Sequence, residues 1–373
     1  MSGDDLNIPH VSKGLARWLA GAAGVGALGT ITGITVARSM TRRVAIDDPY
    51  ANEDFEVLDG DRSYLVTTPD GVPLAVREVG PTDAPLTVVF AHGFCLRMGA
   101  FHFQRMRLSD EWGPQVRMIF YDQRGHGRSG EAPPETYTVT QLGKDLETVL
   151  QVIAPHGPIV LVGHSMGGMT VLSHARQFPR QYGSRIAGAA LISSAAEGVA
   201  QSPLGEILNN PALEAVLRAA RSAPKLAQRG RTAARSLIGP ILRAASFSDM
   251  RVSPSIGAFS EKMMLETPIP TMVEFLHALQ VHDETAGLPT LAKIPTLIVC
   301  GDHDLVTPAE YSRKMAEVLP ESELVIVAKA GHLVLLERPA SVNDGLVRLV
   351  KHATPGRFTA LSQRWRDRVR RRD

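Results

Sequence analysis

The segment Gly163-His164-Ser165-Met166-Gly167, set directly behind the apolar run Ile159-Val160-Leu161-Val162, constrains this 373-residue chain more than any other stretch. It reads as a buried strand that delivers a serine onto a sharp turn into a helix. A serine hydroxyl is a poor nucleophile at neutral pH, so chemistry at Ser165 requires an exposed, strained turn and a general base beside it. A Cβ two residues to either side would crowd such a turn. Gly163, Gly167 and Gly168 remove that obstacle. Glycine and serine clusters are also ordinary loop punctuation, so the segment needs partners elsewhere in the chain.

Three further segments supply them. The apolar strand Leu86–Ala91 ends in His92-Gly93-Phe94, where a backbone amide can form half of an oxyanion hole. A second apolar strand, Ile294–Cys300, runs into Gly301-Asp302-His303-Asp304. A third, Glu323–Val327, leads to Gly331-His332. A histidine titrates near neutrality and can take the Ser165 proton during attack and return it to the leaving group. An aspartate beside it would hold the imidazole tautomer and stabilise the imidazolium. Composition alone does not choose between Asp302 and Asp304.

With these motifs, the chain resembles the α/β-hydrolase superfamily in its serine esterase and lipase branch, over residues 60–352. The resemblance rests on His92-Gly93-Phe94, on Tyr121-Asp122-Gln123-Arg124-Gly125-His126-Gly127-Arg128-Ser129, on Gly163 to Gly168, on Gly301 to Pro308 and on Gly331-His332. It implies a nucleophile at Ser165, an acid at Asp304, a base at His332 and oxyanion amides at Phe94 and Met166. Asp304 is favoured because it stands three residues after Gly301 and four before Pro308. Asp302 then becomes a loop acceptor, and Glu197 is an outside alternative. The elbow and the Asp122–Ser129 stretch particularly resemble monoacylglycerol lipases and related carboxylesterases. The implied chemistry is hydrolysis of a carboxylic ester, acylglycerol-type or otherwise lipophilic. Haloperoxidase or perhydrolase, thioesterase and carbon–carbon bond hydrolase activities share the same triad. A non-catalytic, membrane-bound binding protein is a more remote alternative.

The expected architecture is an α/β-hydrolase fold with a mostly parallel central sheet flanked by helices and a helical lid inserted after the sixth strand. A hairpin pairs Tyr64–Thr67 with Leu74–Val79 around Pro69-Asp70-Gly71. The continuous apolar runs Leu86–Ala91, Val116–Tyr121, Ile159–Val162 and Ala189–Ser193 suit parallel strands covered on both faces. Leu142, Leu146, Val149, Leu150 and Ile153 recur at helical spacing behind a capping box from Thr138 to Gln141. A second box, Thr307-Pro308-Ala309-Glu310, would start the helix after the acid loop. The chain divides into an anchor candidate and polar linker (1–59), a first core part (60–196), the lid (197–267), a second core part (268–352) and a basic tail (353–373).

Charge matters here through its placement, because the formal net charge is only +2. Between Ala215 and Ser248 the lid carries Arg218, Arg221, Lys225, Arg229, Arg231, Arg235 and Arg243 and no acid. Gln363 to Arg372 is equally basic around Trp365. Both read either as sites for anionic lipid or as solvated surface. Trp18–Val36 is nineteen residues without a charge, near the lower limit of about 17–25 for a membrane span. Lys13 and Arg17 precede it, and Arg38, Arg42 and Arg43 follow. An uncleaved anchor with a cytoplasmic catalytic domain is expected, with a cleaved signal or a soluble cytoplasmic protein as alternatives.

No cofactor is implied, since the chain has no phosphate loop and no dinucleotide fingerprint. The histidines show no metal-ligand grouping, and no recognition motif for nucleic acid accompanies the basic runs. His164 and His126 read as structural. Cys95 and Cys300 do not form a disulfide framework and read as small buried residues. The acyl chain, the leaving group and the oligomeric state are not legible.

Overall fold

The computed structural model describes residues 48–202, 205, 246–248 and 252–354. Trp18–Val36, the arginine-rich run of the expected lid and the tail from residue 355 lie outside the described residues. All described residues fall in one compact unit that begins at Asp48.

Eight strands form one sheet: β1 (Arg62–Thr67), β2 (Pro73–Val79), β3 (Leu86–Ala91), β4 (Val116–Tyr121), β5 (Ile159–His164), β6 (Ile186–Ile192), β7 (Thr296–Gly301) and β8 (Glu323–Val327). Their spatial order is β1-β2-β4-β3-β5-β6-β7-β8. The first two strands pair antiparallel, as do β2 and β4, and every later pairing is parallel. The hairpin turns at Gly71, whose φ of +88° is one that glycine adopts without a steric cost.

Nine helices are described: α1 (His102–Trp112), α2 (Val139–Ile153), α3 (Met166–Gln177), α4 (Pro254–Glu266), α5 (Ile269–Gln280), α6 (Leu288–Leu291), α7 (Ala309–Val318), α8 (Val334–Glu337) and α9 (Pro339–Ala353). The apolar strand runs divide residue by residue between the two sheet faces. Val88, Phe90, Val160 and Val162 join Leu108 of α1 and Leu346 of α9 in one core. Val89, Ala91, Ile159 and Leu161 join Leu146 of α2 and Leu172 of α3 in the other. Both faces are therefore covered, which is why these strands need no polar alternation.

Thr138 caps α2 as expected, its hydroxyl accepting the Gln141 N–H at 3.1 Å. The reciprocal half of the box is absent, because the Gln141 amide reaches forward to Asp145 Oδ1 at 3.1 Å. The second expected box is not formed: α7 starts behind Pro308 with no side-chain cap. The Thr307 hydroxyl is engaged by Asp304 instead. Residues 48–60, read from the sequence as the end of a polar linker, pack onto the core. Leu58 is buried there, and Phe55 stacks on Phe259 with ring centroids 4.5 Å apart. Three of the described helices, α4 to α6, lie between β6 and β7, and among the described residues no helix is long and apolar enough to cross a membrane.

Candidate active site

The parallel strands all point the same way, so the loops after β3, β5, β7 and β8 converge at their carboxyl ends. Ser165 sits between β5 and α3 at φ 53° and ψ −120°, a left-handed conformation that is strained for a residue with a side chain. Its N–H is held by the Ile192 carbonyl at 2.9 Å. The glycines around it have the role expected of them. A Cβ on Gly163 would overlap the Gly167 carbonyl, one on Gly167 would overlap the Ala91 carbonyl, and one on Gly168 would strike the Ser194 hydroxyl.

His332 Nε2 lies 2.9 Å from Ser165 Oγ. On its other side, Nδ1 lies 2.9 Å from Asp304 Oδ2 and 3.1 Å from Oδ1. With Asp304 accepting at Nδ1–H, Nε2 is left as an acceptor for the serine O–H. Asp304 also accepts the Val306 N–H at 2.9 Å, the Thr307 N–H at 2.8 Å and the Thr307 hydroxyl at 3.0 Å. Burial alone would raise its pKa. His332 and these hydrogen bonds more than offset that, so the carboxyl lies below its ordinary value and stays ionised. The backbone just before His332 is held by Glu337, whose Oε1 accepts the Gly331 N–H at 2.7 Å.

Of the two alternative acids, Asp302 is turned away, accepting the Ala330 N–H at 3.4 Å with His303 Nδ1 4.0 Å from the same oxygen. Glu197 pairs through its backbone with Asp283. Phe94 and Met166 stand at the head of the β3 loop and of α3, and neither amide is engaged by an acceptor among the described residues. Gly93 packs so closely on the elbow that an added Cβ would lie 3.1 Å from Ser165 Cβ. A pocket of about 70 Å³ opens at the serine, lined by Phe94, Cys95, Met169, Val199, Met264, Leu276 and Leu279 with Val306 and His332.

His164 and His126 are both fully buried and contact backbone groups. His164 is buried, and its Nε2 lies 3.0 Å from the His332 carbonyl. The Nδ1 of His126 faces the Arg124 carbonyl at 3.0 Å. Its other nitrogen takes the Cys95 N–H, a contact that sequence reasoning did not anticipate. Thr307 was missed as well, because its place before Pro-Ala-Glu reads as a helix cap. Cys95 and Cys300 are free and buried, and burial pushes both thiols up, so they stay protonated. Among the described residues no cluster of His, Cys, Asp and Glu could hold a metal ion.

A family model described as the alpha/beta hydrolase fold matches residues 87–339, a span that contains the serine, the acid and the histidine together. The chain belongs to the α/β-hydrolase family. Among its relatives, an AB hydrolase superfamily protein of Bacillus subtilis is 25% identical over 284 residues, covering 75% of this chain and 96% of that protein. A monoacylglycerol lipase of Mycolicibacterium smegmatis is 29% identical over 127 residues, or 33% of this chain and 40% of the relative. The solved structure of a thermophilic esterase from Thermogutta terrifontis superposes with a TM-score of 0.61 at 26% identity, covering 78% of this chain and 99% of that one. Esterase-like hydrolases are thus the company in which this α/β-hydrolase stands.

Proposed function

We propose that this α/β-hydrolase cleaves carboxylic esters through an acyl-enzyme on Ser165. The observation that carries the reading is the continuous hydrogen-bonded line from Ser165 Oγ through His332 to Asp304, with 2.9 Å on each side of the imidazole. In the forward step His332 Nε2 takes the hydroxyl proton as Oγ attacks the ester carbonyl. Asp304 holds Nδ1–H and stabilises the imidazolium that forms. The negative oxygen of the tetrahedral intermediate is received by the Phe94 and Met166 amides. Collapse expels the alcohol, which takes the proton from His332. A water then repeats the sequence on the acyl-enzyme and releases the acid.

The pocket walls support a lipophilic substrate class. Phe94, Met169, Met264, Leu276 and Leu279 offer hydrocarbon and sulfur surface, which favours a lipophilic acyl group. Similarity to a lipase over part of the chain supports the same reading. Attachment to a membrane through Trp18–Val36 is a separate proposal that rests on the sequence alone. An uncharged span would keep the full-length protein in the membrane fraction through a wash at about 1 M salt, where charge attraction is screened beyond about 3 Å.

A fluorophosphonate probe tests the central claim. The wild-type protein should be labelled and should hydrolyse p-nitrophenyl esters, whereas Ser165→Ala should do neither. Labelling of the alanine variant at the wild-type level would remove Ser165 from the mechanism.

A further inference from the structure

Two amides on separate elements can receive one oxyanion only if their relative position is fixed before the reaction begins. Phe94 lies in the loop after β3 and Met166 heads α3, so something must tie the two together. The turn after β4, Asp122 to Ser129, reaches both. Gln123 donates Nε2–H to the His92 carbonyl at 2.6 Å and its backbone N–H to His92 Nε2 at 2.9 Å. Its Oε1 takes the hydroxyl of Thr170, one turn beyond Met166 in α3, at 2.7 Å. One side chain is therefore bonded to both amide-bearing elements.

His126, three residues further on, acts at the end of the loop. Its Nε2 accepts the Cys95 N–H at 3.2 Å, and its Nδ1 faces the Arg124 carbonyl at 3.0 Å. A backbone N–H only donates and a carbonyl only accepts, so the tautomer is fixed, with the proton on Nδ1. The residue that His126 holds is Cys95, whose φ of +56° is a conformation that side-chain-bearing residues seldom adopt. Cys95 directly follows Phe94, so the peptide that His126 holds by its N–H is separated from the peptide carrying the Phe94 N–H by the Phe94 Cα alone. The ring is fully buried and cannot swing aside. It lies 5.3 Å from His92, 5.4 Å from Phe275 of α5 and 6.3 Å from Phe94, centroid to centroid. Burial also pulls its pKa down to about 4, which keeps Nε2 available as an acceptor at neutral pH.

We propose that His126 is a positioning residue for the oxyanion hole: by accepting the Cys95 amide it holds the Phe94-Cys95 turn in the shape that aims the Phe94 N–H at the reacting oxygen. It does so without lining the pocket. The proposal rests on the assignment of Ser165 as nucleophile and of Phe94 as an oxyanion donor, and it gives the Asp122–Ser129 turn a part in catalysis.

Two polar substitutions separate this role from simple core filling, because each amide reproduces one ring nitrogen. His126→Gln can place an oxygen near the position of Nε2 and accept from Cys95, whereas His126→Asn reaches only the Nδ1 side. The measurements are kcat and KM on p-nitrophenyl butyrate, active-site titration with a fluorophosphonate, thermal midpoint, and the inhibition constant of phenylboronic acid, whose serine adduct puts an oxygen in the oxyanion hole. In His126→Asn, kcat per titrated site should fall about 10- to 100-fold with KM little changed, and boronate binding should weaken by a similar factor. His126→Gln should recover most of both. Equal kcat and equal boronate affinity per titrated site in the two variants would overturn the proposal, even if both are less stable. So would a fall in kcat with boronate binding unaltered. A wild-type protein that neither hydrolyses the ester nor binds the boronate would instead overturn the reading of Ser165 itself.

Discussion

Asp304 Oδ2 stands 2.9 Å from His332 Nδ1, while Asp302, two residues earlier on the same loop, faces the Ala330 amide and the His303 ring instead. The two acids are therefore not interchangeable. An acid that fixes the imidazole tautomer is worth about 10⁴ in turnover. Asp304→Asn should lower kcat by that order, and Asp302→Asn should retain most activity. Kinetics on variants shown to be folded by circular dichroism would decide, and the reverse ranking would move the acid to Asp302.

Thr307 donates its hydroxyl to Asp304 Oδ2 at 3.0 Å from within the same buried loop. Thr307→Val keeps the shape and deletes the donor. The loss of one hydrogen bond to a charged group, about 1.5–3 kcal/mol, should appear as a roughly tenfold or greater fall in kcat with KM little affected. Unchanged turnover would mean that the backbone amides of Val306 and Thr307 are enough to hold the acid.

Backbone strain at Ser165 gives a prediction about stability. Ser165→Ala keeps a Cβ at φ 53°, whereas Ser165→Gly releases it. Such strain costs of order 1–3 kcal/mol, and the extra chain entropy of glycine takes back about 1. The inactive glycine variant should therefore be the more stable of the two by about 1 kcal/mol in urea unfolding. A glycine variant less stable than the alanine variant by about 1 kcal/mol, the entropy cost alone, would mean that the elbow stores no strain.

His164 links buried chemistry to pH. Burial, with a smaller contribution from the charge of His332, pulls its pKa down to about 3, against an ordinary value near 6.5. Below pH 6.5 the unfolded chain takes up a proton that the folded chain refuses. The stabilisation is thus whole above pH 6.5 and is lost as pH falls towards 3, at about 1.4 kcal/mol per unit. His164→Gln removes this dependence while groups such as Asp122 titrate in both proteins and cancel. The stability difference between wild type and variant, measured by urea unfolding, should shift in favour of the variant by about that slope between pH 6 and pH 4. A pH-independent difference would contradict the assignment.

The local pattern of the chain determined most of the strands and the elbow. Leu86–Ala91, Val116–Tyr121 and Glu323–Val327 match β3, β4 and β8 to the residue; in β3 and β4 the apolar runs record burial on both faces, whereas β8 is a half-buried edge strand. The elbow was equally legible, since its glycines answer a steric demand made by neighbours close in sequence. Other features depended on residues far apart. Ser165 and His332 are 167 positions from each other, and no periodicity encodes the sheet order that sets β5 beside β3 and β6, and β7 beside β8. That order gives Asp302 and Asp304 different partners, because the loop's path past His332 brings only Asp304 Oδ2 within 2.9 Å of the ring. It took Thr307 away from its expected cap, since a hydroxyl bonds to the strongest acceptor within reach, here a buried carboxylate. It likewise placed the His126 ring under Cys95. Propensity and patterning are local energies and can be read along the chain, whereas the site is a set of long-range contacts that exist only once both faces of the sheet are packed.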